Sequence, residues 1–557
     1  MSDDPARLWH DAVTAMGEAL RKTAPQAYDP FQLAGTMAEF TAGLAARPAE
    51  LFDIQIETAR QWSDFWTRTL GGQAGDKPRD RRFAASAWQE DPWYRTIRDA
   101  YLLASDQLRG LAAKGQGGPM VRFLLDQYLN AVSPSNFAMT NPEVVQRTIE
   151  TRGANLAQGF AHLLEDLASG EGIVKRRTDP DAFVKGESIA ATPGKVVHQN
   201  RLFQLIQYDP ATPDVAAEPL LYVPPLVNRF YMIDLVPRQS LVKWLVHQGR
   251  TVFVISWVNP TEAHKDCGVA EYVLEGVVEA VDVVAKRTDH APDLFAFCLG
   301  GTLVAIALAW LAASDRASEV NSATLIGSMV DFADMRDWAA FVHEAHLDAL
   351  EAHLERQGFI DSIELQRLFA AMRANDLIWS SVVNHYLLDK PAPASDLLYW
   401  FEDGARIPAA FLKSYNRELL LGNKLREPAG FAVGDVPIDL AAIVTPILAI
   451  ALKDDHVSAW EAVYDGARLL GADFLLGGSG HNAGVINPPA ANKHGYWTSA
   501  ARPETAREWL AGAEKHEGSW WPHWDAWLSA HGSGERVPAR DVKDGTEPAP
   551  GSYAKAA

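Results

Sequence analysis

The sequence predicts an α/β catalytic domain on a mainly parallel sheet, interrupted by a helical insertion and preceded by a helical domain. Three observations predict it. From about residue 186, short apolar runs alternate with amphipathic segments, the pattern of strands joined by crossover helices. One run, Asp293-Leu-Phe-Ala-Phe, leads straight into Cys298-Leu-Gly300-Gly301-Thr and a long apolar stretch to Ala313. Two later runs end in Lys453-Asp454-Asp455-His456 and in Gly477-Gly-Ser-Gly480-His481-Asn482.

Taken in order, residues 1–185 read as helical. Leu8, Trp9, Ala12, Val13, Met16 and Leu20 recur at helical spacing, as do Trp62, Phe65, Trp66 and Leu70, with breaks near Pro30, Pro48 and Gly71. A bundle packed on the catalytic domain is the plain reading of these stripes. The catalytic domain spans 186–532, with strands expected at Leu202–Tyr208, Leu220–Val223, Val252–Trp257, Leu294–Phe297, Ala323–Ile326, Ile447–Leu452 and Phe474–Leu476. Amphipathic helices from about 331 to 440 form a cap insertion ahead of the acid-bearing strand. Residues 533–557, rich in Gly, Pro, Ala and charge, are expected to be disordered.

Cys298 lies where an α/β hydrolase carries its nucleophile. In the G-x-S-x-G elbow a sharp strand-to-helix turn lifts the nucleophile clear of the sheet, and flanking small residues let the backbones pass. Here those residues are Ala296 and Gly300, and sulfur replaces the usual hydroxyl. A helix N-terminus favours thiolate over thiol. Chain order in this fold is nucleophile, acid, histidine, which assigns a triad of Cys298, an aspartate at the end of the 447–452 strand, and His481. Asp454 and Asp455 both stand at that strand end, where neighbours point in opposite directions and one alone can face His481. Sulfur suits acyl transfer: an acyl group arriving as a thioester and parked on cysteine remains a thioester. The backbone N–H groups of Leu299, Leu226 and Val227 are the candidate oxyanion donors.

The chain resembles the polyhydroxyalkanoate synthases, class I by length, across nearly all of its residues. The stretches that carry the resemblance include Lys77–Tyr101, Ser133–Pro142, Phe203–Tyr208, Val223-Pro-Pro225 with Asn228, and Gly249–Pro260. Arg373–Trp379, Asn423-Lys-Leu425 and Gly480–Pro489 continue it. The resemblance implies an α/β-hydrolase fold, with Cys298 as nucleophile, Asp455, directly before a histidine, as the acid, and His481 as general base. It also implies polymerisation of (R)-3-hydroxyacyl-CoA, of short chain by class, with CoA thioester as substrate rather than cofactor. The growing polyester, a granule surface, granule-associated proteins and a second copy in a homodimer are the implied partners. An aromatic face on the N-terminal helices is then a candidate for contact with the granule. Asn228 and Asp234 match recurring family positions, with shaping the loop as their alternative role.

Departures from the family pattern bear on substrate range. Glycine usually stands where Ala296 does. A cysteine often follows the double proline; Leu226 here leaves no second thiol for a two-sulfur mechanism within one active site. Phe401 and Leu412 replace residues that are polar in many class I members, in a region that lines or covers the channel. A thioesterase or depolymerase could use the same triad, and a catalytically weak granule scaffold is the reading from another class.

Composition agrees with a large, two-domain enzyme. The 557 residues are 48% hydrophobic and 22% charged, enough to bury a sizeable core. A formal charge of −20 excludes a general nucleic-acid surface and requires a local basic patch for an anionic CoA ester. With only Cys267 and Cys298, the usage is that of a reducing compartment. Without a basic-then-apolar N-terminal segment or an apolar run near the roughly 20 residues of a membrane span, a cytoplasmic protein is expected, and the resemblance places it at polyester granules. Cys267, outside any triad context, reads as a structural or surface thiol. No phosphate-binding glycine loop, internal repeat or metal-ligand cluster is present in the sequence. His343, His346 and His353 share one helical segment and read as solvated side chains.

Overall fold

The computed structural model describes residues 48–72, 80–114, 118–169, 173 and 177–556. The stripe over Leu8–Leu20 therefore lies outside the described residues. The chain divides into two units, one of residues up to Pro180 with Arg367–Ala394, the other of Asp181–Gln366 with Ser395–Ala557.

The first unit is helical. Its helices are Pro48–Leu70, Pro92–Lys114, Gly118–Ala131, Pro142–Thr151 and Ala154–Ser169. The Trp62 stripe splits: Phe65 is buried and the Trp62 indole donates to Gln107 Oε1 at 3.0 Å, whereas Trp66 and Leu70 face solvent. The Ser133–Pro142 stretch is a capping device. Asn141 accepts from the amides of Glu143 and Val144 to start the next helix, and donates back to the Ser135 carbonyl at 2.7 Å. Insertion residues complete this unit. Asn375 donates to Asn130 Oδ1 at 2.9 Å, and Asn155 donates to the Leu387 carbonyl at 2.7 Å. This corrects the expectation of one continuous cap over 331–440, because residues 367–394 hydrogen-bond to the N-terminal helices and belong to their unit.

The second unit carries an eleven-stranded sheet. Its strands are β1 Gly194–Gln199, β2 Phe203–Tyr208, β3 Leu220–Val223, β4 Val252–Trp257, β5 Asp293–Phe297, β6 Ser322–Ile326, β7 Ile447–Leu452, β8 Asp473–Gly477, β9 Tyr496–Thr498, β10 Glu514–His516 and β11 Glu547–Pro548. The order is β10-β9-β8-β7-β6-β5-β3-β4-β2-β1-β11. From β8 to β4 every neighbour is parallel; the outer strands on both sides are antiparallel. All seven expected strands are present. Their buried, near-continuous apolar residues are those of a sheet covered on both faces. The chain crosses over between β4 and β5, so the loops after β3 and β5 open side by side at the carboxyl edge, where α/β sheets bind ligands.

The expectation of a disordered tail is overturned. Arg536–Pro538 pairs with Asp214–Ala216, β11 pairs with β1, and Gly551–Lys555 is helical. Polar groups of the sheet edge hold it. The Gln204 side chain accepts from the Tyr553 amide at 3.0 Å, Arg229 donates to the Tyr553 and Ala556 carbonyls, and Lys185 donates to the Ala554 carbonyl. Composition signals disorder only when a segment finds no such partners. The histidine reading also changes. His343 caps the helix Glu344–Gln357, while His346 and His353 are buried, His353 against Glu364 at 3.0 Å.

Candidate active site

Five strands deliver the site, each by the loop at its carboxyl end. β5 ends in Cys298, which has φ 53° and ψ −127° and precedes the helix Leu299–Ala313. A side-chain-bearing residue at positive φ costs roughly 1–3 kcal/mol and persists only where its surroundings impose it. Here the Cys298 amide donates to the Ile326 carbonyl, and the Gly301 amide donates to the Cys298 carbonyl, both at 2.9 Å. Glycine is required at 300, since a Cβ there would collide with the Val223 carbonyl and crowd Pro224. A Cβ at Gly301 would meet Ser328. Ala296, by contrast, fits in the sheet, buried and opposite Val223. The half-buried sulfur therefore stands at the N-terminus of a helix, two of whose first three residues are glycine.

β7 ends in the acid. Asp455 has no exposed side-chain surface; its Oδ1 accepts from the amides of Val457 and Ser458 at 2.8 and 2.9 Å. Its Oδ2 accepts from His481 Nδ1 at 2.6 Å. Asp454 points to solvent. Of the two adjacent aspartates, the structure brings Asp455 to the histidine.

β8 leads through Gly477-Gly-Ser-Gly480 to His481. This loop is tied to the acid-bearing turn by Asp454 N–H to the Ser479 carbonyl, 3.0 Å. On its far side the indoles of Trp520 and Trp521 donate to the Gly484 and Val485 carbonyls at 2.9 and 3.0 Å. Phe297 packs on the imidazole with ring centroids 4.6 Å apart. Because Nδ1 serves Asp455, Nε2 is the ring nitrogen left for the Cys298 side chain. Burial opposes the imidazolium, yet the Asp455 carboxylate and the Cys298 sulfur outweigh it, and His481 is pushed up to about 10. β6 completes the floor: at Gly327, φ 55°, a Cβ would touch Asp455, His481 and Phe297 together.

β3 ends in Val223-Pro224-Pro225-Leu226-Val227-Asn228. Among the described residues the amides of Leu226, Val227 and Leu299 have no backbone acceptor, as oxyanion donors require. The loop is braced on two sides. Trp257 donates its indole N–H to the Pro224 carbonyl at 2.9 Å, and Ala405 N–H donates to the Val227 carbonyl at 3.0 Å. Asn228 donates to the Trp400 and Phe401 carbonyls. Asp234 is fully buried and accepts from Thr192 and Ser240 at 2.6 and 2.5 Å. Asn228 and Asp234 thus shape the loop. Phe401 contributes its backbone to that bracing, a link that a residue-by-residue comparison of side chains does not reveal.

Cys267 is buried away from these groups, with its thiol held up first by burial and then by Glu271, Glu275 and Asp266, against the pull of Arg201. Tyr415, on the returning part of the insertion, packs its ring against Phe332 and Phe411, and burial holds its phenol above the ordinary range.

Residues 79–245 match the family model described as "Poly-beta-hydroxybutyrate polymerase (PhaC) N-terminus", and residues 221–488 match the alpha/beta hydrolase fold. A poly(3-hydroxyalkanoate) polymerase of Methylorubrum extorquens is 38% identical over 530 residues, covering 91% of this chain and 87% of that one. The poly(3-hydroxyalkanoate) polymerase subunit PhaC of Rhizobium meliloti is 37% identical, covering 97% and 91%. The subunit PhaC of Cupriavidus necator is 39% identical, covering 92% and 90%.

Proposed function

Since this chain belongs to the poly(3-hydroxyalkanoate) polymerase family, we propose that it is an acyltransferase that polymerises (R)-3-hydroxyacyl-CoA of short chain through an acyl-Cys298 intermediate, releasing CoA. The observation that carries the reading is the 2.6 Å bond from His481 to the buried Asp455, beside a cysteine on a strained strand-to-helix turn.

In this reading the thiol proton has already passed to His481, and the Cys298 sulfur attacks the thioester carbonyl beside the imidazolium, forming a C–S bond. The oxyanion of the tetrahedral intermediate lies against the amides of Leu299 and of Leu226 or Val227, each worth about 3 kcal/mol. The C–S bond to CoA breaks, and the departing thiolate takes the proton from His481. The 3-hydroxyl of the next unit then attacks the acyl-cysteine while His481 removes its proton, a general-base contribution of about 10²–10⁴. The ester C–O bond forms, the acyl C–S bond breaks, and the Cys298 thiolate takes the proton back from His481. Asp455 fixes the imidazole with Nδ1–H inward and stabilises the imidazolium. Thioester-to-thioester transfer keeps the acyl group activated for ester formation.

The protein acts in the cytoplasm at the granule surface, as a homodimer. Exposed Trp66, Trp93, Met139 and Ile149 on the helical unit support contact with an apolar surface. That contact is peripheral among the described residues, of which no helix is long and apolar enough to cross a membrane. The test is purified protein with (R)-3-hydroxybutyryl-CoA, following free thiol and insoluble polyester together. Both must accumulate. Thiol without polyester would make the protein a thioesterase, and neither product would sink the reading.

A further inference from the structure

Two of the candidate oxyanion amides, those of Leu226 and Val227, have no backbone acceptor of their own. Their direction therefore depends on what holds the residues beside them. The segment 400–405 does so on one side. Asn228 forms an antiparallel bridge with Gly404, Ala405 N–H donates to the Val227 carbonyl at 3.0 Å, and the Trp400 indole donates to the Arg229 carbonyl at 2.7 Å. The Arg229 side chain reaches a different element. It is only 4% exposed, and its two terminal nitrogens donate to the Tyr553 and Ala556 carbonyls at 3.0 and 2.7 Å, in and just beyond the tail helix Gly551–Lys555.

The charges of this cluster explain why the tail is needed there. Asp403, next to Gly404, accepts on Oδ2 from Lys185 at 2.8 Å and from the Tyr231 hydroxyl at 2.7 Å, and its Oδ1 faces Arg229 Nε at 3.7 Å. In these ion pairs one carboxylate answers two cations. A buried guanidinium is costly unless its donors are met, and the tail carbonyls meet the two nitrogens that bond to them. Lys185 uses the tail in the same way, donating to the Ala554 carbonyl at 3.0 Å.

The tail is itself fixed to the sheet. Gln204 on β2 accepts from the Tyr553 amide at 3.0 Å, and the Tyr553 hydroxyl donates to the Asn200 carbonyl at 3.0 Å. Gly551, at φ 79°, permits this approach, since a Cβ there would collide with Gln204 Oε1. An edge of the sheet thus reaches, through one short helix and one guanidinium, a residue two positions from the Val227 amide.

Resting on the polymerase reading above, we propose that Arg229 is a positioning residue for the candidate oxyanion loop, and that the docked tail helix acts on catalysis through it. The tail carbonyls hold the guanidinium, the guanidinium holds the loop, and the loop aims the Leu226 and Val227 amides. Oxyanion donors must lie within about 3 Å of the charge they meet. Slack in the loop therefore weakens the transition state while leaving the nucleophile and the binding of substrate intact.

The experiment compares two reactions of the same sulfur. Acetylation of Cys298 by p-nitrophenyl acetate passes through a tetrahedral oxyanion, whereas alkylation by iodoacetamide displaces iodide from a saturated carbon and forms none. Both rates are read from the Cys298 peptide by mass spectrometry, and an activated aryl ester acylates a thiolate whatever the natural substrate. Arg229→Met keeps most of the apolar bulk; it should slow acetylation by about 10- to 100-fold, less than the roughly 10²–10³ of a donor lost outright, with alkylation at the wild-type rate. Arg229→Lys, a cation able to reach one carbonyl, should lie between. Deletion of residues 551–557 should match Arg229→Met, and the two changes together should add little to either, as partners in one network do. With (R)-3-hydroxybutyryl-CoA the same variants should lose kcat at a nearly unchanged KM. An unchanged acetylation-to-alkylation ratio in a variant with wild-type circular dichroism overturns the proposal, as do alkylation falling in step with acetylation and full additivity of the two changes. Should Arg229→Met fail to fold, Arg229→Lys and the deletion carry the same ratio. If the ratios respond as expected but wild type releases no CoA from the four-carbon substrate, the polymerase reading fails and the positioning role stands.

Discussion

The two sides of the candidate site are built by opposite means. On the nucleophile side, position is set by exclusion: Cys298 is held at positive φ because Gly300 lets the helix lie against the Val223 carbonyl. On the acid side, position is set by attraction: Asp455 sits in a relaxed turn, its oxygens taken by two amides and one imidazole. The difference teaches where each side is vulnerable. The elbow should fail when an atom is added, the acid turn when a charge is removed.

The largest expected effect comes from removing the reacting atom. Cys298→Ala should abolish CoA release, whereas Cys267→Ala, buried and remote, should leave it nearly unchanged. Loss of activity in a folded Cys267→Ala protein, judged by circular dichroism, would overturn the single-thiol mechanism.

Next is the charge on the attractive side. Asp455→Asn keeps the shape but lets the imidazole adopt the wrong tautomer, which in a serine protease triad costs about 10⁴ in kcat. Asp454→Asn, losing only a solvent-facing charge, should keep its activity and change stability by within about 0.5 kcal/mol. CoA release by both variants at matched folded concentration checks this, and the reverse ranking would move the acid by one residue. The same substitution should lower the pKa of His481, since the carboxylate is what favours the imidazolium against burial; an NMR titration of the ring proton reads it directly. The sign for stability follows. A histidine with its folded pKa raised to about 10 stabilises the fold fully below its unfolded value of about 6.5 and loses that contribution as pH rises toward 10. Urea midpoints should therefore decline between pH 7 and 10 more steeply in wild type than in Asp455→Asn.

Adding an atom on each side sharpens the contrast. Gly300→Ala drives a methyl into backbone and should cost about 1–3 kcal/mol, with loss of activity. Gly480→Ala, whose new methyl meets only an ordinary 3.4 Å contact with the Asp454 carbonyl, should stay within about 0.5 kcal/mol. Chemical denaturation of both decides whether the two sides differ as described. The smallest effect is Ala296→Gly, which restores the residue usual in the family. It should lose about 0.5–1 kcal/mol through strand flexibility and little activity.

The elements most legible in the sequence were those whose side chains share one environment. β2 to β8 are buried on both faces, so apolar runs mark them, and the elbow is marked by the small residues its steric crowding demands. The outer strands β1, β9 and β10 are polar or mixed, with Lys195, His198, Trp497 and Lys515 in them, and periodicity does not find such strands. Residues 367–394 carry the same amphipathic pattern as the rest of the insertion, so nothing local reveals that they pack with the N-terminal helices. The tail is ordered by partners more than 300 residues away, as with Gln204 and Tyr553. Tyr415 belongs to no motif; its ring contact with Phe332 follows from the hydrogen bonds of Asn423 to the Phe332 amide and to Asp331, contacts between distant segments.

The ends of the sheet carry a consequence of a different kind. An eleven-stranded sheet has two open rims, and a rim of unpaired N–H and C=O groups is a template for another chain. Here one rim is β10, three residues of Glu, Lys and His, and the other is β11, two residues of which one is proline. Proline offers no N–H to an incoming strand, and neither rim is long or apolar enough to extend a ladder. The tail that closes β1 thus ends the sheet in a rim too short to template another chain's strand.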